Sequence, residues 1–169
     1  MTARQILTAS LGVLMAATVW AGAPSIPLRD LDGRERNVNE FIGRGKWTIV
    51  VTWAHDCPIC DREIDEMAAF HVANRDKDAI VLGVTLDGAE FRSEARAFVR
   101  RHKLPFVNLI TEPSQAVMMK FGAGQYVGSP TYYIYDPAGE IVGQNIGPLT
   151  RTEVEDFIRS FNQVQQNGK

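Results

Sequence analysis

Two kinds of apolar pattern divide the chain. In one, β-branched and aromatic residues run almost without a break. In the other, apolar residues recur at steps of three and four, the period of a helix face. The run Trp47-Thr48-Ile49-Val50-Val51-Thr52-Trp53 is of the first kind and predicts a central strand covered on both faces. From Cys60 onward the second pattern takes over, at Ile64, Met67, Ala68 and His71. It predicts a helix over residues 58–73, with Pro58 suited to the first helical position. Residues 79–84 form a second buried run. Strand, helix and strand of these lengths predict a right-handed parallel crossover.

Upstream, Ile26, Leu28 and Leu31 lead into the turn signal Asp32-Gly33, and residues 34–38 are expected to return as a short strand. Asn39 is expected to cap a brief turn that carries Phe41 and Ile42 inward. Downstream, a helix over residues 90–102 shows an apolar stripe at Phe91, Ala95, Phe98, Val99 and His102. Residues 107–110 predict a short strand. Ser114 predicts the cap of a short helix with Val117 and Phe121 inward. Gly122, Gly124 and Gly128 then approach Ser129-Pro130. Residues 131–135 and 140–145 predict two strands joined by the turn Asp136-Pro137-Ala138-Gly139. Thr150 with Glu153 matches a capping box, and the last helix carries Val154, Phe157, Ile158 and Phe161. Residues 163–169 are polar and expected to fray.

Length and composition fit one domain with a sizeable core. The net charge of −2 offers no electrostatic footprint for nucleic acid. The amino terminus changes the picture. Residues 5–28 carry no charge, Arg4 is the only charged side chain before them, and residues 6–20 are apolar with small residues mixed in. This reads as a secretory signal peptide over residues 1–23, followed by one domain over 24–169. A cut after Val19-Trp20-Ala21 is favoured over one after Ala21-Gly22-Ala23. An uncleaved membrane anchor is the alternative, weakened by a length near the lower limit for a span. In both cases the domain is exported, and a periplasmic location is expected.

An exported domain with two cysteines lacks a disulfide framework. Its one pair, Cys57-Pro58-Ile59-Cys60, stands where the strand ends and the helix begins. The first helical turn has unpaired N–H groups and the positive end of the dipole. A thiolate at Cys57 is stabilised there, and the thiolate is the nucleophile of disulfide exchange. Cys60, one turn on, is placed to close or resolve a disulfide. The redox-active disulfide is expected to need no further cofactor.

The chain resembles the TlpA/ResA/DsbE group of exported thiol–disulfide oxidoreductases. Four stretches carry the likeness: Asp30-Leu31-Asp32-Gly33 with the Phe41 segment, the block from Trp53 to Cys60, Gly128-Ser129-Pro130-Thr131, and Ile134-Tyr135-Asp136 with Gly139. The resemblance implies an α/β, thioredoxin-like fold: a central mixed β-sheet with helices on both faces and an N-terminal β-hairpin extension. It implies that Pro130 is cis and faces the cysteines, and that the backbone of Ser129 pairs with a substrate peptide. Trp53, Pro58 and Ile59 are read with Ser129 and Pro130 as substrate-facing. Glu63 matches the family pattern Cys-x-x-Cys-x-x-Glu, whose glutamate moves the buried cysteine's proton. Its spacing, three after Cys60 and four before Met67, borders the inward stripe. A half-buried carboxylate there suits proton transfer; a solvated helix glutamate is the alternative. The family also implies a disulfide-containing exported substrate, a membrane electron donor and a monomer. Cytochrome c maturation and copper-site assembly are the tasks considered.

This sequence departs from the family in places. Asp56 replaces the tryptophan usual before the first cysteine, and its charge opposes a Cys57 thiolate. Asp61 adds to that, and a protonated His55 offsets it. Val51 stands six before Cys57, where thioredoxin has an acid, which leaves Glu63 as proton acceptor. A structural disulfide is a bland alternative, worth only about 2 kcal/mol over so short a loop. The alternative of a different class is a copper- or zinc-binding or chaperone module, using the cysteines with His55 or Asp56, and Met118 or Met119, without turnover. His71 and His102 read as packed residues, and Tyr132, Tyr133 and Tyr135 as sheet packing. Ala54 stands where a peroxiredoxin-type peroxidase needs threonine, which argues against that chemistry.

Overall fold

A computed structural model of the chain describes residues 22–122 and 125–168. The expected signal segment, apart from Gly22 and Ala23, lies outside them. Among the described residues no helix is long and apolar enough to cross a membrane.

Among the described residues, seven strands form one mixed sheet. They are β1 (Pro27–Asp30), β2 (Glu35–Asn37), β3 (Trp47–Trp53), β4 (Ala79–Thr85), β5 (Val107–Ile110), β6 (Thr131–Tyr135) and β7 (Ile141–Ile146), in the order β2-β1-β5-β4-β3-β6-β7. The helices are α1 (Pro58–Asn74), α2 (Arg92–Arg101), α3 (Gln115–Met118) and α4 (Arg151–Asn167). β3 pairs parallel with β4 and antiparallel with β6, so it is central, and all seven of its residues are buried. Its unbroken run of apolar and β-branched residues is what two covered faces demand.

Alternation along the strands sends side chains into two layers. Ile49, Val51, Trp53, Tyr132 and Ile134 share one layer with Cys60, Ile64 and Met67 of α1, Phe98 of α2 and Val154 of α4. Val50, Leu82, Val84, Tyr133 and Tyr135 face the other, with Ile26, Leu28, Ile42, Met118 and Phe121. The cysteine-bearing helix therefore lies on the first face, with its N-terminal end at the end of β3.

Local signals are realised with small shifts. The Thr150–Glu153 capping box opens α4, and Ser114 caps α3. The first short turn is capped by Asn37, not Asn39: the Asn37 side chain accepts the Asn39 N–H, and Glu40 reaches back to the Asn37 N–H. Phe91 does not join the buried stripe of α2; it stays 41% exposed and stacks on His55.

His71 is a packed residue with one specific bond. Its Nδ1 accepts the Val81 N–H at 3.0 Å, tying α1 to β4. Burial lowers its pKa, and the positive charge of Arg75 adds to this. Protonation would place a second hydrogen against the Val81 N–H. A folded-state pKa below the unfolded value means this stability is present above about pH 6.5 and lost as pH falls toward the folded pKa. Urea unfolding at pH 7.5 and 5.5 should show a loss at the lower pH that shrinks in His71→Gln. Leaving the Val81 amide unpaired costs about 1–3 kcal/mol. Equal losses in both proteins would remove His71 from the pH response.

Candidate active site

β3 ends at Trp53 and α1 begins at Pro58, and Cys57 is the N-cap between them. The Cys57 Sγ accepts the Cys60 backbone N–H at 3.1 Å. A sulfur thus occupies the position that serine or aspartate usually fills, at the positive end of a helix of 17 residues. The same bond strengthens when the sulfur becomes a thiolate. Cys57 and Cys60 are joined by a disulfide, with Cα atoms 5.3 Å apart. Cys60 is only 1% exposed, whereas Cys57 is partly exposed. An attacking partner can therefore meet Cys57 alone.

Antiparallel pairing of β3 with β6 brings the second loop to the pair. The Ser129–Pro130 peptide bond is cis, and the Ser129 carbonyl oxygen lies 3.5 Å from the Cys57 Sγ. The loop is held by Thr52, whose hydroxyl donates to the Thr131 carbonyl at 3.1 Å and accepts the Thr131 N–H at 3.0 Å. The Tyr126 and Ser129 hydroxyls are hydrogen-bonded at 2.7 Å. Pro130 is buried; Pro58 and Ile59 are exposed beside Cys57.

Trp53 needs correction. It is fully buried and faces no substrate. Its ring stacks on Phe98, with centroids 4.5 Å apart, and its Nε1 donates to Asn108 Oδ1 at 3.1 Å. It is a floor beneath the site, because strand alternation points its side chain into the layer under α1 and α2.

The flanking charges are placed differently from the expectation. Asp61 pairs with His102 at 3.0 Å and with Arg101; the His102 bond first, then Arg101, lowers its pKa. That charge is balanced from α2 rather than aimed at Cys57. His55 turns to the buried carboxylate of Asp87: Nδ1 lies 2.7 Å from Oδ1, and the His55 backbone N–H donates to both oxygens at 3.1 and 3.2 Å. Thr85 also donates to Asp87. Asp87 clamps the segment leading to Cys57, a role no local sequence signal marks. His55, Asp56 and Asp87 place ligand-type atoms within 4.8 Å of one another. However, Asp87 already accepts from His55 and Thr85, which leaves little capacity for a cation. Met118 is buried in the opposite core layer, away from the cysteine face, and Met119 is exposed.

Glu63, one turn after Cys60, is half-buried. Glu66 beside it accepts the Arg151 N–H at 2.9 Å. The Tyr132 side chain comes from β6 into the same layer and is fully buried. Its hydroxyl has no hydrogen-bond partner among the described residues. Burial raises its pKa, and the negative charges of Glu63 and Glu66 raise it further.

A thioredoxin-like fold with a redox-active cysteine pair at the tip of the helix after its central strand defines a thiol–disulfide oxidoreductase. Comparison with known proteins agrees. The family model described as AhpC/TSA matches residues 19–144. The thiol–disulfide oxidoreductase ResA of Bacillus thuringiensis (strain Al Hakam) is 25% identical over 139 residues, covering 82% of this chain and 76% of that protein. The thiol:disulfide interchange protein DsbE of Allochromatium vinosum is 26% identical over 147 residues, covering 87% and 77%. Among solved structures, a thiol:disulfide interchange protein from Chlorobium tepidum superposes with a TM-score of 0.68 at 20% identity, covering 82% of this chain and 94% of that one. The thioredoxin domain of a Bacteroides vulgatus thiol-disulfide oxidoreductase gives 0.66 at 23% identity, covering 83% and 95%. The chain belongs to the AhpC/TSA family, and within it to the ResA/DsbE/TlpA-like thiol–disulfide oxidoreductases.

Proposed function

We propose that the chain is an exported reductant of specific protein disulfides, in which Cys57 attacks, Cys60 resolves and Glu63 takes the Cys60 proton. The observation that carries the first role is the Cys60 N–H held against the partly exposed Cys57 sulfur at the helix tip. Cys57 attack on a substrate disulfide forms a mixed disulfide and releases one substrate thiolate. Cys60, deprotonated by Glu63, attacks the Cys57 sulfur and releases the second. The protein pair is oxidised by two electrons and the substrate sulfurs are reduced.

Ser129 lies outside the sheet ladder, which begins at Thr131, so its backbone can pair with an extended substrate segment, with Pro58 and Ile59 alongside. Similarity to the thiol–disulfide oxidoreductase ResA and the thiol:disulfide interchange protein DsbE supports disulfide exchange as the reaction, and in the reducing direction proposed a membrane electron donor would restore the dithiol. Residues 1–23 act as the export signal in this reading. Cytochrome c maturation, or assembly of a metal site, is the task proposed for it.

Two measurements test the proposal. Equilibration with glutathione buffers should give a reduction potential well below about −120 mV, the value of a strong oxidant. A potential at or above that value would reverse the direction of electron flow. Glu63→Gln should slow the resolving step about a hundredfold and remove its acid limb. An unchanged rate and profile would take Glu63 out of the mechanism.

A further inference from the structure

The fold leaves three apolar side chains in solvent around Cys57. Phe91, at the start of α2, is 41% exposed, and its ring lies on that of His55 with centroids 5.1 Å apart. His55 is itself held by Asp87 at 2.7 Å and stands two residues before Cys57, so the Phe91 ring is fixed beside the turn that carries the reactive sulfur. Ile59, two residues after Cys57, is exposed on the α1 side. Val127 is exposed two residues before Ser129, whose carbonyl oxygen lies 3.5 Å from the Cys57 Sγ. Two residues of chain span at most about 7 Å, so all three flank one mouth. Apolar side chains scattered singly over a surface need no explanation, but three that border a reactive atom form a contact surface.

The charge on the Phe91 side of that surface is negative. Asp56, exposed and next to Cys57, places a carboxylate oxygen within 4.8 Å of a ring nitrogen of His55, the ring on which Phe91 stacks. His55 pairs with Asp87, which leaves Asp56 without an ion pair among the described residues. Glu90, next to Phe91, is exposed as well. Arg92, the cation on the other side of Phe91, turns toward Gly33 of the β1–β2 turn. Arg62 is exposed one turn beyond Ile59, on the α1 side. A carboxylate beside Cys57 works against its thiolate. The same carboxylate beside an exposed aromatic ring is suited to a cation: the ring face attracts an ammonium or guanidinium group, and the acid pairs with it.

We propose that Asp56 and Phe91 set substrate specificity by binding a lysine or arginine that lies close in sequence to the substrate's reactive cysteine. The occupant is an extended segment of the substrate protein, its backbone against Ser129 and its apolar side chains against Ile59 and Val127. The inference rests on the reading of Cys57 as the group that attacks a substrate disulfide. In the step served, the Cys57 thiolate sulfur bonds to one substrate sulfur, the substrate S–S bond breaks, and the other substrate sulfur leaves as a thiolate. Cys60 then gives up its proton, bonds to Cys57 and displaces the first substrate sulfur. The protein pair is oxidised by two electrons and the substrate pair is reduced. A cation seated on Asp56 also cancels the charge that opposes the Cys57 thiolate, so the matching substrate favours the form that attacks it.

The test uses the reduced full chain and three symmetrical peptide disulfides, identical except for lysine, glutamine or glutamate two residues from the single cysteine. Each rate of peptide thiol release is divided by the rate of the same disulfide with dithiothreitol, which removes the intrinsic effect of the neighbouring charge. Wild-type protein should reduce the lysine disulfide about five- to tenfold faster than the glutamate one at low salt, with glutamine between, and the ratio should fall toward about twofold in about 0.5 M salt. In Asp56→Asn the ratio should be below about twofold even at low salt, whatever the change in overall rate. Phe91→Leu keeps the apolar bulk and loses the ring, and should lower the lysine rate relative to glutamine about two- to threefold. Equal rates for the three disulfides in the wild type, or a lysine preference that survives in both variants, would overturn this inference and leave Cys57 attack standing. A preference for glutamate would overturn it as well. Failure to reduce any of the three would sink both readings.

Discussion

Cys60→Ala should turn the protein into a trap. Cys57 keeps its place as N-cap, its partial exposure and its helix-end field, so it still attacks a disulfide. The mixed disulfide then has no internal resolving thiol and persists. After reaction with oxidised glutathione, mass spectrometry should find one glutathione on Cys57, stable for hours in the absence of added thiol. Cys57→Ala should carry almost none, because Cys60 is 1% exposed and an incoming disulfide cannot reach it. Either substitution should lower insulin reduction by on the order of a thousandfold, since the two sulfurs act as a unit. Stable adducts on Cys60 in Cys57→Ala, with none on Cys57 in Cys60→Ala, would reverse the assignment. The asymmetry comes from the fold: the strand-to-helix turn leaves the cap residue at the surface and rotates the residue three later into the core.

Gly83→Ala should produce the largest loss of stability of any single methyl addition near the site. Gly83 pairs with Val51 on one side and Asn108 on the other. A Cβ built there would overlap Asn108 Oδ1 and meet Trp53 Nε1 at 3.0 Å. Those two atoms are the partners of the buried hydrogen bond that anchors the Trp53 ring. The glycine leaves the gap through which the indole N–H reaches across β4 to β5. An added methyl must separate the pair, which combines overpacking with a lost buried hydrogen bond. The expected cost is about 2–4 kcal/mol. For a chain of this size that lowers the melting temperature by roughly 5–15 °C. Thermal unfolding followed by circular dichroism measures it, and tryptophan fluorescence should change with it. A melting temperature within a degree of wild type, with the fluorescence unaltered, would show that the gap closes by other means. Because Trp53 supports the turn to Cys57, the surviving folded fraction should also exchange more slowly.

The contrast between these two residues separates what is local from what is not. The chemistry was legible in a line of eight residues. A buried strand, two cysteines one helical turn apart, and a proline at the first helical position place a sulfur at a helix N-terminus whatever the rest of the fold does. The half-buried position of Glu63 was legible too, because its spacing from Cys60 and Met67 sets its place beside the buried stripe. The element order followed from periods of two and three to four, and most boundaries shifted by only a residue or two; the last helix runs on to Asn167, through most of the stretch expected to fray. Trp53 was misread as substrate-facing, since a strand of buried residues on both faces has no alternation to say which layer an end residue enters. Asn39 is the expected cap of the first turn and Asn37 the observed one, because the reciprocal bond with Glu40 forms from Asn37.

By itself, then, the sequence determined on which element each candidate reacting atom stands, since helix and strand periods act over a few residues. Only the tertiary structure decided what surrounds them. Ser129 meets Cys57 across 72 positions, Asp87 clamps His55 across 32, and Asn108 anchors Trp53 across 55. Each meeting depends on strand order and register. Those are set by how whole strands bury against one another, an energy spread over the entire sheet and written in no single stretch of it.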